Sequence, residues 1–311
     1  MKAIVLNKPG EVSELQIQEI AIPTIQADEV LIKVKAISIN PVDAKTRVGK
    51  GVYGRIKNEQ PLIIGWDVSG TVTETRSDRF KVGDEVFGMV NFPGHGKGYA
   101  EFVAAPASHL ALKPVNISHQ EAAAATLAAL TALQALVHNA NVQPGQKVLV
   151  HAAAGGVGHF AVQIAKQLGA IVTGTSSAKN KELVLQFGAD AHIDYHNYDW
   201  KNHPEEFDFV LDTIGGSNID LSIAVTKKGG TVISIPTGLS DEVTEKAKAK
   251  GVNGYFILVQ SNGDDMQQIA EWLEKGIVKA HVSQTFKFDD IAAAHTQIES
   301  GRTTGKIVVT V

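Results

Sequence analysis

Lys147-Val-Leu-Val-His151-Ala-Ala-Ala-Gly155-Gly-Val-Gly158-His-Phe-Ala-Val-Gln-Ile-Ala-Lys-Gln-Leu168-Gly169 is the most informative passage of this chain. A short apolar run enters a turn of small residues. Phe160, Ala161, Ile164, Ala165 and Leu168 then fall on one face of a helix, and Gly169 stands where a left-handed C-terminal cap belongs. A buried strand, a side-chain-poor turn and a helix start in that order let backbone N–H groups approach a phosphate closely. Ala154, Gly155, Gly156, Val157 and Gly158 are therefore the candidate contacts to the pyrophosphate of a dinucleotide. A glycine-rich packing turn is the bland alternative, and the texture of the chain downstream argues against it.

Beyond this turn strands and helices alternate, the signature of a parallel sheet covered by helices. The strands are expected at Lys147–His151, Ile171–Thr175, Ala191–Ile193, Phe207–Asp212, Thr231–Ile235 and Gly254–Val259, with Lys181–Phe187 a helix stopped by Gly188. Before it, the chain is β-rich through Lys2–Leu6, Glu29–Ile37, Asp67–Glu74, Asp84–Phe87 and Tyr99–Ala104, and Gln120–Asn139 reads as one long helix. The closing pieces, helix Asp264–Lys275, strand Gln284–Phe288, helix Asp289–Ile298 and strand Lys306–Val311, exceed what a six-stranded nucleotide sheet needs. They are expected to return to the first domain. The resulting division is 1–121 completed by 260–311, and 122–259.

The second strand of the sheet runs into Thr175-Ser-Ser-Ala-Lys179. A site that prefers NAD holds an acidic residue there for the ribose 2′-hydroxyl. Hydroxyls and a lysine suit a 2′-phosphate instead, so NADPH is the expected cofactor, with Ser176, Ser177 and Lys179 as its contacts. Helix capping by the serines and a solvated lysine are the competing account.

Composition removes whole classes of function. Of 311 residues none is cysteine, which excludes disulfides, thiolate metal sites and cysteine nucleophiles. A net charge of −4 gives no basic field for nucleic acid or an anionic membrane. No apolar run is long enough to span a bilayer, and the start of the chain reads as a strand rather than a leader, so a soluble, cytoplasmic protein is expected.

Asn40-Pro-Val-Asp43, Gly65-Trp-Asp-Val-Ser-Gly70, Phe80-Lys-Val-Gly-Asp-Glu-Val-Phe-Gly88, Gly98-Tyr-Ala-Glu-Phe102, Leu130-Thr-Ala132, the Ala152–Gly158 turn, Gly188-Ala-Asp190 and Gly305-Lys-Ile-Val-Val309 together resemble the medium-chain dehydrogenase/reductase superfamily. The likeness is to its zinc-free quinone oxidoreductase branch, which includes zeta-crystallin-like proteins and enone reductases. It implies a GroES-like catalytic domain built from both chain ends, a Rossmann domain between them, and an active site in the cleft. Zinc-dependent relatives place metal ligands where this chain has Asn40, Trp66 and a residue near Leu127. These are no zinc ligand set, so no metal is expected. Without a Lewis acid, alcohol oxidation loses its alkoxide, whereas a quinone or an α,β-unsaturated carbonyl accepts hydride directly.

The resemblance also assigns roles. Asn40 is expected beside the nicotinamide ribose or substrate carbonyl, with a loop residue opening an Asn-Pro turn as the alternative, and Tyr53, in the glycine-rich rim loop Gly49–Gly54, resembles an active-site tyrosine but reads equally as an aromatic anchor of that loop. Asp43 and Lys45 read as an exposed ion pair, with a proton relay as the alternative. Thr131 is expected to approach the cofactor, and Tyr195 resembles a tyrosine set against the adenosine 2′-phosphate, with hydroxyls satisfied by packing near a helix end as the alternative for both. Such relatives dimerise through their last Rossmann strands, here Asn253–Val259, so a homodimer is expected. A non-catalytic NADPH-binding protein with a structural or sensory role, and a zinc alcohol dehydrogenase, are the rival readings.

Overall fold

Lys147–Val150 becomes the central strand of a six-stranded parallel sheet, and everything around it follows from how the chain leaves and re-enters that strand. The computed structural model describes residues 1–236 and 241–311. The strands in chain order are β1 Lys2–Leu6, β2 Leu15–Glu19, β3 Glu29–Ile39, β4 Asp67–Thr75, β5 Glu85–Met89, β6 Phe102–Pro106, β7 Leu110–Leu112, β8 Lys147–Val150, β9 Ile171–Ser176, β10 Ala191–Asp194, β11 Phe207–Asp212, β12 Thr226–Ser234, β13 Asn253–Phe256, β14 Val282–Lys287 and β15 Lys306–Thr310. They belong to two compact units, one of Met1–Leu130 with Val259–Val311 and one of Thr131–Leu258.

In the second unit the strand order is β10-β9-β8-β11-β12-β13, with every pairing parallel. The chain builds outward from β8 through β9 to β10, then crosses to β11 and builds outward the other way. The order reverses between β8 and β11, which is where ligands of such sheets bind, outside the carboxyl ends of the strands. Helix Gly156–Gln167 covers β8 and β9 with Phe160, Ala161, Ile164 and Ala165 fully buried, as its periodicity requires. Gly169 and Gly188 adopt φ of 82° and 102°, the left-handed caps expected at these helix ends. Leu149, Phe207, Val210, Ile219, Ile223 and Val232 fill the core on one face.

The first unit holds the sheet β14-β15-β3-β4-β5-β7, with β6 on the free part of β3, and the small β1–β2 hairpin. The last strand of the chain lies in this sheet: β15 pairs antiparallel with β3, Val308 opposite Ser38. Helix His119–Ala124 lies on this sheet through Ala123 and Ala124, whose lack of bulk brings it against Ala36 and Val308. Its start is a capping box, with the Ser118 hydroxyl accepting from the Glu121 N–H and the Glu121 carboxylate accepting from the Ser118 N–H.

The expected single helix over Gln120–Asn139 is instead three segments, His119–Ala124, Leu127–Leu133 and a π-helical turn Gln134–Asn139. The break has a cause. The Leu127 N–H leaves the helical ladder to donate to the buried Asp67 carboxylate at 3.0 Å. A second difference is the stretch after Gly51, expected as a loop, where Tyr53–Ile56 form one helical turn.

Candidate functional site

The phosphate turn is held by its own backbone. Ala152 takes a positive φ of 47°, a conformation that costs an L-residue about 1–2 kcal/mol. Its carbonyl accepts from the Gly155 N–H at 2.8 Å, its N–H donates to Thr175 Oγ1 at 3.2 Å, and the Ala153 N–H donates to the Thr175 carbonyl at 2.8 Å. The N–H groups of Gly156, Val157 and Gly158 open the following helix and have no carbonyl to pair with inside it. A Cβ on Gly158 would stand 2.1 Å from the Ala152 carbonyl oxygen, so glycine is required there by the chain's own packing as well as by any ligand. On Gly155 it would meet that oxygen at 3.1 Å. A cradle of free N–H groups with no side chain in front of it fits a pyrophosphate.

The residues expected at a 2′-phosphate divide into two groups. Thr175 is fully buried, and Ser176 is 4% exposed with its hydroxyl shared between the Ser177 carbonyl at 3.1 Å and His192 Nε2 at 2.8 Å. Neither hydroxyl faces outward. Ser177, Lys179 and Tyr195 do: Ser177 is half-buried, Lys179 is exposed without an ion pair among the described residues, and Tyr195 is 47% exposed with its ring 4.2 Å from that of His196. Strand pairing sets Asp194 beside Ser176, and the Tyr195 N–H donates to the Ser176 carbonyl at 3.3 Å. The three therefore cluster at the carboxyl ends of neighbouring strands. Thr131 is buried at 1% exposure in the helix Leu127–Leu133.

The first unit gathers a buried polar cluster that no local motif announces. Asn40 caps helix Pro41–Arg47, and both ends of its amide are engaged: Nδ2 donates to Asp67 Oδ2 at 2.7 Å, and Oδ1 accepts from Lys306 Nζ. Lys306 also reaches the Ile39 carbonyl at 3.3 Å and Asp67 Oδ2 at 3.6 Å. One N–H of the Asn40 amide is left over. Burial pushes the Asp67 carboxyl up and the Lys306 ammonium down, each opposed by the other's charge. Donors from Leu127, Asn40 and Lys306 converge on the Asp67 carboxyl, the set of contacts that a buried ion pair requires.

Asp43 corrects the expectation of a surface ion pair. It is fully buried, whereas Lys45 is exposed. Asp43 Oδ2 accepts from the Asn40 N–H at 2.8 Å and from the Tyr99 hydroxyl at 2.9 Å, and Tyr99 meets His295 Nε2 at 3.0 Å. Desolvation pushes the Asp43 carboxyl up to about 7 and, with the Arg47 guanidinium nearby, holds His295 down to about 3. Tyr99 sits this deep because Gly65, at φ 88°, leaves its ring the room: a Cβ there would be 2.1 Å from it. Tyr53 is half-buried at the start of its helical turn.

Sequence reasoning missed Asp67, Tyr99, His295 and Lys306 as a unit. The available signal was a charge set directly against an apolar run, Asp67 after Ile63-Ile-Gly-Trp66 and Lys306 before Ile307-Val-Val309.

At the positions of a zinc ligand set, the Trp66 indole donates to the Gly94 carbonyl at 2.7 Å and packs edge-on against Phe92, and Leu127 offers its backbone. Among the described residues no group of three or more His, Cys, Asp or Glu side chains is arranged to hold a metal ion.

Comparison with known proteins gives these arrangements a context. Residues 26–115 match the alcohol dehydrogenase GroES-like domain and residues 187–309 match the zinc-binding dehydrogenase domain. The chain is 36% identical to a 2-methylene-furan-3-one reductase from Solanum lycopersicum, covering 99% of this chain and 79% of that protein. It is equally similar, over the same shares, to a chloroplastic NADPH-dependent alkenal/one oxidoreductase from Arabidopsis thaliana. The solved structure of the quinone oxidoreductase from Coxiella burnetii superposes with a TM-score of 0.93 at 36% identity, covering 100% of this chain and 99% of that one.

Proposed function

Because this chain belongs to the medium-chain dehydrogenase/reductase superfamily, among its quinone oxidoreductases and enone reductases, we propose that it is a zinc-independent enzyme using NADPH to reduce a quinone or an α,β-unsaturated carbonyl compound. The observation that carries the reading is the donor set. Where a catalytic zinc needs three ligands there stand an amide already engaged at both ends, an indole and an aliphatic side chain, and the buried cation beside them is Lys306. Such a site polarises no alcohol. It suits an acceptor that is electrophilic on its own.

The bound nicotinamide would supply the hydride. The turn from Ala154 to Gly158 would hold the pyrophosphate, and Ser177, Lys179 and Tyr195 would take the 2′-phosphate, with the buried Ser176 supporting them from below. The remaining Asn40 N–H is the donor offered to a ribose hydroxyl or to the oxygen that gains charge, Thr131 lines the cofactor side, and Tyr53 is the substrate-side tyrosine. The final proton comes from solvent. Edge strand β13, whose Phe256 is 38% exposed, is the surface on which a second copy would pair. Among the described residues no helix is long and apolar enough to cross a membrane, and a cytoplasmic location is part of the proposal.

The test is steady-state NADPH oxidation across a panel of quinones and enals, with metal content measured on the same protein. Turnover without stoichiometric zinc, insensitive to chelators, is expected. Cofactor binding without turnover across the panel would favour a non-catalytic role, and loss of activity on chelation would overturn zinc independence.

A further inference from the structure

The proposed reaction makes no use of three polar groups packed around the phosphate turn, namely the His151 imidazole, the Thr175 hydroxyl and the Thr213 hydroxyl. His151 follows β8 directly and is 1% exposed. Its Nδ1 lies 3.2 Å from Thr175 Oγ1, the same oxygen that accepts the Ala152 N–H at 3.2 Å. Its carbonyl accepts from Thr213 Oγ1 at 2.7 Å, and its N–H donates to the Leu211 carbonyl at 3.0 Å. The residue before the turn is thus braced by Thr175 from β9 and by Thr213 from the end of β11, the two strands that flank β8.

We infer that His151 and Thr175 are positioning residues that lock the Ala152 peptide in its left-handed conformation and so hold the phosphate-binding turn open for the pyrophosphate common to NADPH and NADH. This rests on the reading of Ala154–Gly158 as the pyrophosphate site. Ala152 is not glycine, so its φ of 47° persists only where neighbours over-determine it. The Ala152 N–H is held by Thr175 Oγ1, whose own proton has no acceptor among the described residues other than His151 Nδ1. The His151 ring is neutral, since burial holds it down to about 4 against the pull of Asp212. Thr175 O–H therefore donates to Nδ1, and the imidazole proton resides on Nε2, which is buried with no partner. Take away the imidazole acceptor and the Thr175 hydroxyl is free to rotate, the Ala152 N–H loses its fixed acceptor, and the peptide relaxes toward an ordinary helical φ. The Thr175 and His151 side chains are buried and bond to each other and to the Ala152 N–H, with no bond to Ser177, Lys179 or Tyr195, so the effect falls on both nucleotides alike.

The measurement is the Kd of NADPH and of NADH, by titration of the full-length protein, for the unmodified chain, His151→Leu, Thr175→Val and the double variant, with melting temperature recorded for each. Each single change is expected to weaken both nucleotides by the same factor, about five- to tenfold, the worth of roughly one hydrogen bond. The double variant should be no weaker than the worse single, because the two groups act through one contact. Should His151→Leu not accumulate as folded protein, His151→Phe keeps the ring volume against Trp200 and carries the same expectation. Unchanged affinities with a lowered melting temperature would overturn the inference and leave a purely structural pair. A loss confined to NADPH would overturn it too, by making Thr175 a specificity residue. If the unmodified protein binds neither nucleotide, the cofactor reading itself fails and the inference with it. Normal binding by the parent and the variants alike overturns only the lock.

Discussion

Asp43→Asn tests the buried cluster most directly. The Asp43 carboxyl titrates at about 7 in the folded chain against 3.8 when exposed, chiefly because burial removes its solvation. Between those values the folded chain holds one proton more than the unfolded chain, so stability falls as pH rises, by about 1.4 kcal/mol per pH unit. Across the window the loss is about 4 kcal/mol, complete above pH 7. The parent's profile does not display this alone. His295, held down to about 3, and His151, at about 4, have fewer protons folded than unfolded up to about pH 6.5, and contribute stability that rises with pH over the same range. Comparing the variant with the parent cancels those terms. The asparagine carbonyl still accepts from the Asn40 N–H and the Tyr99 hydroxyl, so the contacts survive. Asp43→Asn should be close to the parent at pH 4.5 and more stable at pH 8, with the gap in melting temperature widening by roughly 10 °C at ~2–4 °C per kcal/mol. Thermal melts of both proteins at half-unit pH steps read it out. Parallel curves would refute the argument, and so would a gap that narrows with pH.

Lys306→Met should destabilise by about 3–5 kcal/mol by leaving the buried Asp67 charge unpaired, and adding Asp67→Asn should recover most of it, read from denaturant midpoints. Lys179→Ala should weaken NADPH about tenfold, the worth of a charge-assisted contact, and leave NADH nearly unchanged, by kcat/KM with a single acceptor. An acidic residue at Thr175 is a poor complementary test, because the side chain there is buried against the turn. Gly158→Ala should lower both melting temperature and cofactor affinity, since its Cβ meets the Ala152 peptide, whereas Gly155→Ala, with a contact of 3.1 Å, should be the milder of the two in a paired thermal and binding assay. For the proposed pairing along β13, Phe256→Lys should shift the mass in solution from dimer toward monomer, measured by light scattering at micromolar protein.

Short-range sterics and periodicity are written along the chain, and the features that depend on them alone were legible there. The strand–turn–helix at Lys147–Leu168, its cap at Gly169 and that at Gly188 depend on residues within a few positions of one another, and all are as expected. So does the alternation that forces a parallel sheet. Tertiary structure settled which polar groups are used and in what charge state. Asn40 bonds to Asp67 across 27 positions and to Lys306 across 266, so no local pattern reports that its amide is engaged at both ends. The Gln120–Asn139 helix breaks because a carboxylate 60 residues away takes the Leu127 N–H. Ser176 and Ser177 are adjacent and chemically identical, yet Ser176 ends β9 with its hydroxyl against His192, whereas Ser177 lies just past the strand end and is only half-buried. Asp43 is buried beside Tyr99, 56 positions away, which in turn meets His295. Burial and ionisation are set by partners distant in the chain, and those partners meet only in the folded protein.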